Sequence, residues 1–130
     1  MTDPKPKRKK KDSRAVAQKA ADDAFSLYIR ARDKRCVTCG STDGLQCSHV
    51  ERRGRHSTRY REENAFAQCK RCHMFHHNQS ETPLRDYQLQ KIGALGVQLL
   101  YSVSRTTLKR TADDLRGIAK MYRDKQEAIR

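Results

Sequence analysis

Apolar residues recur at helical spacing in the first and last parts of the chain. Ser13 precedes a helix that we predict to run to about Asp33. Thr111, followed by two acidic residues, predicts the start of a final helix. The apolar positions are Ala17, Ala21, Ala24, Phe25, Tyr28 and Ile29 in the first helix, and Leu115, Ile118, Ala119 and Tyr122 in the last. We interpret both stripes as packing faces that form the core.

Between these helices the pattern changes to short apolar runs separated by turns. Residues 45–50 and 64–68 are predicted strands, and an arginine-rich loop lies between them. Residues 70–78 contain no helix breaker, so a short helix is expected to follow the second strand. The segment 36–78 is therefore predicted to form a compact ββα unit.

A longer helical pattern follows this unit. Thr82 and Pro83 signal a helix start, and Gly93 and Gly96 are expected breaks, so one or two helices are predicted. The apolar residues at helical spacing are Leu89, Ile92, Leu95 and Leu99. We expect this stripe to lie in the core. The predicted fold class is α+β, with a ββα core, an N-terminal helix and C-terminal helices over residues 83–129.

The length and the charge of the chain limit the domain organisation and the kinds of partner that we expect. The chain has 130 residues and a net charge of +14, which suits a single domain at residues 15–130 and a nucleic-acid partner. Residues 1–14 are basic and poor in large apolar side chains, so we expect a disordered tail that adds DNA affinity. The sequence has no apolar run of about 18 residues and no secretory signal, so a cytoplasmic, reducing compartment is expected.

Four of the five cysteines form two CxxC pairs. These are Cys36, Cys39, Cys69 and Cys72, and 29 residues separate the two pairs. Four thiolates at this spacing are the ligand set of a structural zinc ion, which would help to hold a chain that is only 35% hydrophobic. A redox dithiol or unrelated buried cysteines are the alternatives. Cys47 shares strand parity with His49 and is expected to be a small buried residue, not a fifth ligand.

Three histidines and an asparagine form a second cluster around these pairs. His49, Asn64, His73 and His77 have the spacing H-x14-N-x8-H-x3-H. On the predicted helix, His73 and His77 are four residues apart, so both imidazoles project from one face and can share a metal ion. A ββα hairpin would bring His49 opposite that face, and a general base beside a metal suits phosphodiester hydrolysis.

This cluster resembles the HNH nucleases, which have a ββα-metal fold, and the wider pattern resembles the phage NinG recombination proteins, also called Rap. The segments that carry the wider resemblance are residues 27–35, 36–40, 45–49, 59, 64–69 and 112–123. The resemblance covers about residues 25–126. It implies a metal-dependent DNA endonuclease that acts on Holliday junctions, D-loops or other branched DNA in phage recombination.

The resemblance also implies a role for each residue of the motif. His49 would deprotonate the attacking water, and Asn64 would orient the catalytic loop by hydrogen bonding. His73 would bind the catalytic divalent metal, Mg²⁺ or Mn²⁺, with His77 as the second ligand. Ser48 stands where many HNH nucleases have an acidic or histidine ligand, and two imidazoles shift the preference towards Mn, Zn or Ni.

Two histidines and five arginines lie near the motif. We expect His56 and His76 to be exposed and non-essential, with phosphate contact or auxiliary metal ligation as the alternative. The loop between the strands carries Arg52, Arg53, Arg55, Arg59 and Arg61. One guanidinium group can donate two hydrogen bonds to a phosphate, so this loop is predicted to hold the scissile DNA strand. A merely solvated loop is the alternative. A homodimer would suit a four-way junction, and residues 95–103 would supply either its interface or more core.

Two other functions fit part of the sequence. A zinc-stabilised DNA-binding module without catalysis accounts for the cysteines and the charge but leaves the histidine and asparagine spacing unexplained. A homing or restriction-type HNH nuclease differs only in its substrate.

Overall fold

In the computed structural model, residues 9–129 are described, with side chains from Ser13 onward. The first helix, α1, spans Lys9–Asp33 and the last, α4, spans Ala112–Ile129. Ser13 was predicted to cap α1, but the helix begins four residues earlier and Ser13 lies within it. Residues 1–8 of the predicted disordered tail lie outside the described residues, and residues 9–14 belong to α1. The cap of α4 is as predicted, because the Thr111 hydroxyl accepts from the Asp114 backbone N–H at 3.1 Å.

The middle of the chain forms the predicted ββα unit. Strand β1 is Leu45–His49, strand β2 is Ala65–Cys69, and a 3₁₀ turn at Glu62–Asn64 leads into β2. The strands are antiparallel, with Cys47 opposite Ala67 and His49 opposite Ala65. Helix α2 covers Lys70–Asn78, which confirms the predicted bounds.

The sheet separates two apolar clusters because its side chains alternate between faces. On one face, Ala65 joins the stripes of α1 and α4, and Cys47 packs against them. On the other face, Phe66 packs with Val50 and Leu84. The stripes predicted for α1 and α4 therefore do form the main core, in which Phe25, Ile29, Leu115 and Tyr122 are buried.

Helix α3, Thr82–Ser104, buries a different face from the one predicted. Gly93 has φ 74° and ψ 169°, so the helix is kinked there and its phase changes. Leu84 and Leu100 are buried, whereas three members of the predicted stripe, Leu89, Leu95 and Leu99, are exposed. The prediction that this stripe forms core is therefore wrong. Gly93 is the predicted break, and the helix continues through Gly96.

The described part of the chain is a mixed α+β fold with four helices and a two-stranded sheet. None of its helices combines the length and the apolar character needed to cross a membrane.

Candidate functional site

The two CxxC pairs come together at the start of α2. The four Sγ atoms lie within 4.8 Å of one another. The Sγ atoms of Cys39 and Cys69 are 3.7 Å apart, close to the roughly 3.8 Å expected between sulfurs of a tetrahedral zinc site with 2.3 Å bonds. This cluster, Cys36, Cys39, Cys69 and Cys72, is able to hold one zinc ion.

Backbone geometry supports both pairs in the same way. The N–H of Cys39 points to Cys36 Sγ at 3.4 Å, and the N–H of Cys72 points to Cys69 Sγ at 3.5 Å. Gly40 has φ 82°, and this left-handed conformation closes the first turn at little steric cost. The turns therefore aim N–H groups at sulfurs, which stabilises thiolates.

The thiols of the cluster differ in acidity. Burial opposes ionisation of Cys36, but backbone N–H groups outweigh it and lower its pKa to about 6. Burial and the neighbouring sulfurs raise the pKa of Cys72 to about 12. Without a cation, the cluster therefore resists full ionisation, and a bound Zn²⁺ would remove that conflict. Cys47 is not part of the cluster, and burial raises its pKa to about 12.

His49 lies at the end of β1, on the face that packs against α1. Its ring is 5.8 Å from the ring of Phe25. Its Nε2 is 2.9 Å from the carbonyl oxygen of Arg59. Because a carbonyl only accepts, Nε2 carries the proton and Nδ1 keeps its lone pair. Burial is the main cause that lowers the pKa of His49 to about 4, so the ring is neutral at pH 7.

Asn64 is fully buried beneath the loop that joins the strands. Its Oδ1 accepts from the Glu51 N–H at 2.7 Å. Its Nδ2 donates to the carbonyls of Glu51 and Thr58, both at 3.1 Å. One side chain therefore ties together both ends of the loop segment 51–58, which carries three of the predicted DNA-contacting arginines.

His73 and His77 face each other on α2. Their Nε2 atoms are 2.9 Å apart. The Nδ1 of His73 donates to Gln46 Oε1 at 2.7 Å, so His73 Nε2 keeps its lone pair, as a metal ligand requires. Burial and the neighbouring imidazoles lower the pKa of His73 to about 4. The i, i+4 spacing predicted this pair. No local sequence pattern predicted the contact with Gln46 that fixes the tautomer of His73.

His76 is buried, which corrects the prediction that it is exposed. It is only 5% exposed, and its Nε2 donates to the His49 carbonyl oxygen at 3.2 Å. Its ring lies edge-on to that of His77, with centroids 5.4 Å apart. His76 thus connects the backbone of His49 to the helix that carries His73 and His77. His56 is exposed, as predicted.

Arg59 differs from the other four arginines of the loop. Its guanidinium donates to both carboxylate oxygens of Asp22, at 3.0 and 2.7 Å, and it is buried. It is therefore engaged in holding the loop against α1, and we remove it from the predicted DNA contacts. Arg52, Arg53, Arg55 and Arg61 are exposed. The Arg59–Asp22 pair links residues 37 positions apart, which no local pattern shows.

These side chains surround an open cleft between β1, the loop and α2. It is lined by His49, Arg52, Arg53, His73, His76, His77, Cys47, Val50 and Glu81. We call it the α2 cleft. Ser48 is fully buried and is not among the lining residues. In the described part of the chain, the cysteine cluster is the only set of three or more ligating side chains that converge.

One comparison with known proteins gives a match. The family model described as "NinG: Bacteriophage Lambda NinG protein" matches residues 2–130. No curated protein and no solved structure matches the chain.

Proposed function

The chain belongs to the NinG family of phage recombination proteins, and from that premise we propose that it is a metal-dependent DNA endonuclease of the HNH type. The observation that carries the proposal is the α2 cleft. In this cleft, the neutral His49 has a free lone pair, and the imidazoles of His73 and His77 face each other. The exposed Arg52 and Arg53 line the same cleft.

His49 is the general base. The carbonyl of Arg59 holds the proton on Nε2, so Nδ1 is the atom that takes a proton from the attacking water. The position of that carbonyl is itself supported, because the Arg59 side chain is held by Asp22. Burial keeps the ring uncharged at neutral pH, so the base does not first have to lose a proton.

His73 and His77 hold the catalytic divalent ion. Their Nε2 atoms are close enough to bind the same ion, and Gln46 already sets the tautomer of His73. When bound, such an ion stabilises negative charge on the phosphoryl oxygens and on the leaving oxygen. The cysteine cluster holds a separate zinc ion that has a structural role.

The loop between the strands binds the substrate backbone. Asn64 orders the loop from below, and Arg52 and Arg53 line the cleft beside His49. Phosphate contacts of this kind carry little sequence information. We therefore propose that the substrate is recognised by shape, as branched DNA such as a Holliday junction or D-loop, which is in keeping with the recombination family.

Cleavage of a labelled four-way junction and its matching linear duplex tests the proposal. Wild type and His49→Ala are compared with Mg²⁺, with Mn²⁺ and without added metal. We expect metal-dependent cleavage of the junction that falls by about 10²–10⁴-fold in the variant, with DNA binding retained. Cleavage that survives in His49→Ala would refute the base assignment, and equal cleavage of both DNAs would remove the preference for junctions.

A zinc-stabilised DNA-binding module without catalysis is the second candidate. One observation favours it: the α2 cleft brings only two ligating imidazoles together, whereas the described cysteines form a complete set of four. Binding of DNA without cleavage under every metal would select this candidate.

A further inference from the structure

A second cleft meets the α2 cleft at His49. It is lined by residues of α1 and β1 and shares Cys47, His49 and Arg53 with the α2 cleft. We call it the α1 cleft. From His49 it follows β1 back to Leu45, a stretch of about 13 Å for a strand of this length. His49 therefore borders both clefts, with open space on two sides of its side chain.

Two carboxylates in the α1 cleft are already neutralised. Asp22 forms an ion pair with Arg59 at 2.7 Å and also accepts from the Tyr60 hydroxyl at 2.7 Å. Asp23 forms an ion pair with Lys19 at 2.8 Å. Neither carboxylate is therefore a strong source of repulsion for an anion that enters this cleft.

Two guanidinium groups in the same cleft have no carboxylate partner. Among residues 13–129, neither Arg30 nor Arg53 forms an ion pair. The Nε of Arg30 donates to the Ser26 carbonyl at 3.2 Å, a contact within its own helix that restrains the side chain. The uncompensated charge of the α1 cleft is thus positive, and it lies on both sides of the cleft, on α1 and on the loop.

We propose that the α1 cleft binds the phosphodiester backbone of the DNA strand that continues from the scissile phosphate, with Arg30 and Arg53 as its phosphate-binding residues. The inference rests on the proposed nuclease function, because it treats His49 as the point of cleavage. A strand cut at His49 must extend on both sides of the cut. The α2 cleft receives one side, and the α1 cleft is the adjoining, positively charged space for the other.

The length of the cleft agrees with this occupant. A cleft about 13 Å long exceeds the spacing between successive phosphates of a DNA strand, so it has room to contact more than one of them. Arg30 is also a residue that sequence reasoning did not select, because it lies on the packing helix, far in sequence from the arginine-rich loop. Its approach to that loop depends on how α1 packs across β1.

DNA binding without cleavage tests the inference. Fluorescence anisotropy would measure the affinity of the full chain for a labelled four-way junction and a linear duplex, without added divalent metal, from 50 to 200 mM salt. We expect Arg30→Ala to weaken binding by about 3–10-fold at about 100 mM salt and to reduce the slope of log K against log salt by about one. Arg30→Lys should retain most of the slope.

Arg123→Ala is the matched control. It removes the same charge from an exposed position on α4 that lines neither cleft. If Arg30→Ala and Arg123→Ala weaken binding equally, Arg30 contributes only long-range charge and the inference is wrong. Arg30→Gln, which retains the aliphatic stem, should bind as weakly as Arg30→Ala if the lost charge is the cause.

A set of shortened duplexes gives a second readout. In each duplex, one strand ends close to the mapped cleavage position, on one side or on the other. Arg30→Ala should weaken binding only of the DNA that keeps the strand on the α1 side, whereas a loss on both sides would contradict the inference. If the wild type binds DNA but never cuts it, the nuclease proposal fails while the anisotropy comparison still decides whether Arg30 contacts DNA.

Discussion

The cysteine cluster and the α2 cleft share helix α2, but they present metal-ligating side chains in opposite ways. The cluster brings four sulfurs within 4.8 Å of one another, enough to surround a zinc ion completely. The cleft offers two imidazole nitrogens 2.9 Å apart and leaves the remaining positions of any ion open to water or substrate. A closed ligand set suits a structural metal, and an open one suits catalysis. The comparison therefore fits a structural role for the cysteine cluster and, under the proposed function, a catalytic role for the α2 cleft.

The largest expected effect, on zinc binding and folding, comes from removing one thiol of the cysteine cluster. Cys69→Ser removes a sulfur that the backbone of Cys72 also contacts. We expect the variant to lose its tight zinc and its cooperative thermal transition, since structural zinc contributes directly to folding in small domains. Metal analysis and thermal denaturation would measure both losses. Cys47→Ser is the matched control, because Cys47 lies outside the cluster, and equal zinc loss in that control would contradict the assignment.

The second-largest effect is expected from a substitution that changes metal binding in the α2 cleft alone. His77→Ala leaves His73 as a single imidazole, so we expect weak Mn²⁺ binding to be lost while tight zinc and the melting temperature stay near wild type. Calorimetric titration with Mn²⁺ and metal analysis on the same samples would show this. EDTA should likewise stop cleavage before it unfolds the protein. Simultaneous loss of zinc and Mn²⁺ in His77→Ala would mean that the two sites are one.

Local sequence spacing predicted the ligand sets of the cysteine cluster and the α2 cleft. The features that it did not predict depend on contacts between residues far apart in the sequence. The CxxC pairs and the i, i+4 histidines are close in sequence, so their spacing alone indicated both sets. The burial of His76 depends on which side of α2 meets the sheet, which a nine-residue helix with little amphipathic pattern does not reveal. The pairing of Arg59 with Asp22 depends on how α1 packs against the loop.

Helix α3 shows a different limit of sequence patterns. Its apolar stripe was predicted on the assumption of one continuous helical phase. The kink at Gly93 rotates the second half, so Leu100 is buried while Leu95 and Leu99 are exposed. The glycine was recognised as a break, but the size of the rotation comes from its φ of 74°, which the sequence does not specify.

A smaller effect on cleavage is expected from replacing His76, which links the backbone of His49 to helix α2. His76 donates to the His49 carbonyl at 3.2 Å, and from this contact we predict that it positions His49 and does not bind the metal. His76→Phe keeps the ring volume but removes the donor. We expect kcat to fall by about tenfold with little change in KM, and His76→Gln to recover part of the loss. Steady-state cleavage kinetics, with Mn²⁺ affinity measured separately, would separate positioning from metal binding.

Two results would contradict this role for His76. If His76→Phe loses Mn²⁺ as completely as His77→Ala does, His76 is a ligand. If Phe and Gln variants both match the wild type in kcat, the hydrogen bond to His49 has no catalytic consequence. His56→Phe, at an exposed position of the loop that does not line the α2 cleft, is the control for replacing a histidine by phenylalanine.

The smallest expected effect concerns pH. Because burial lowers the pKa of His49 to about 4, about 97% of its rings remain neutral at pH 5.5, compared with about 9% for a histidine with the ordinary value of about 6.5. We therefore expect the fraction of His49 in its neutral, proton-accepting form to be almost constant from pH 7.5 to 5.5.

The same shift in pKa makes folding stability depend on pH. In the unfolded chain this histidine takes up a proton as the pH falls through 6.5, so folding stability falls by about 1 kcal/mol by pH 5.5. Comparing wild type with His49→Gln cancels any acid effect on the cysteine cluster. Single-turnover cleavage at saturating Mn²⁺ should be flat over this range for the wild type, and the stability of the two proteins should converge towards acid. A tenfold fall in rate with an apparent pKa near 6.5 would show that the base titrates as an exposed histidine, and the proposed role of a buried, neutral base beside the cysteine cluster would no longer hold.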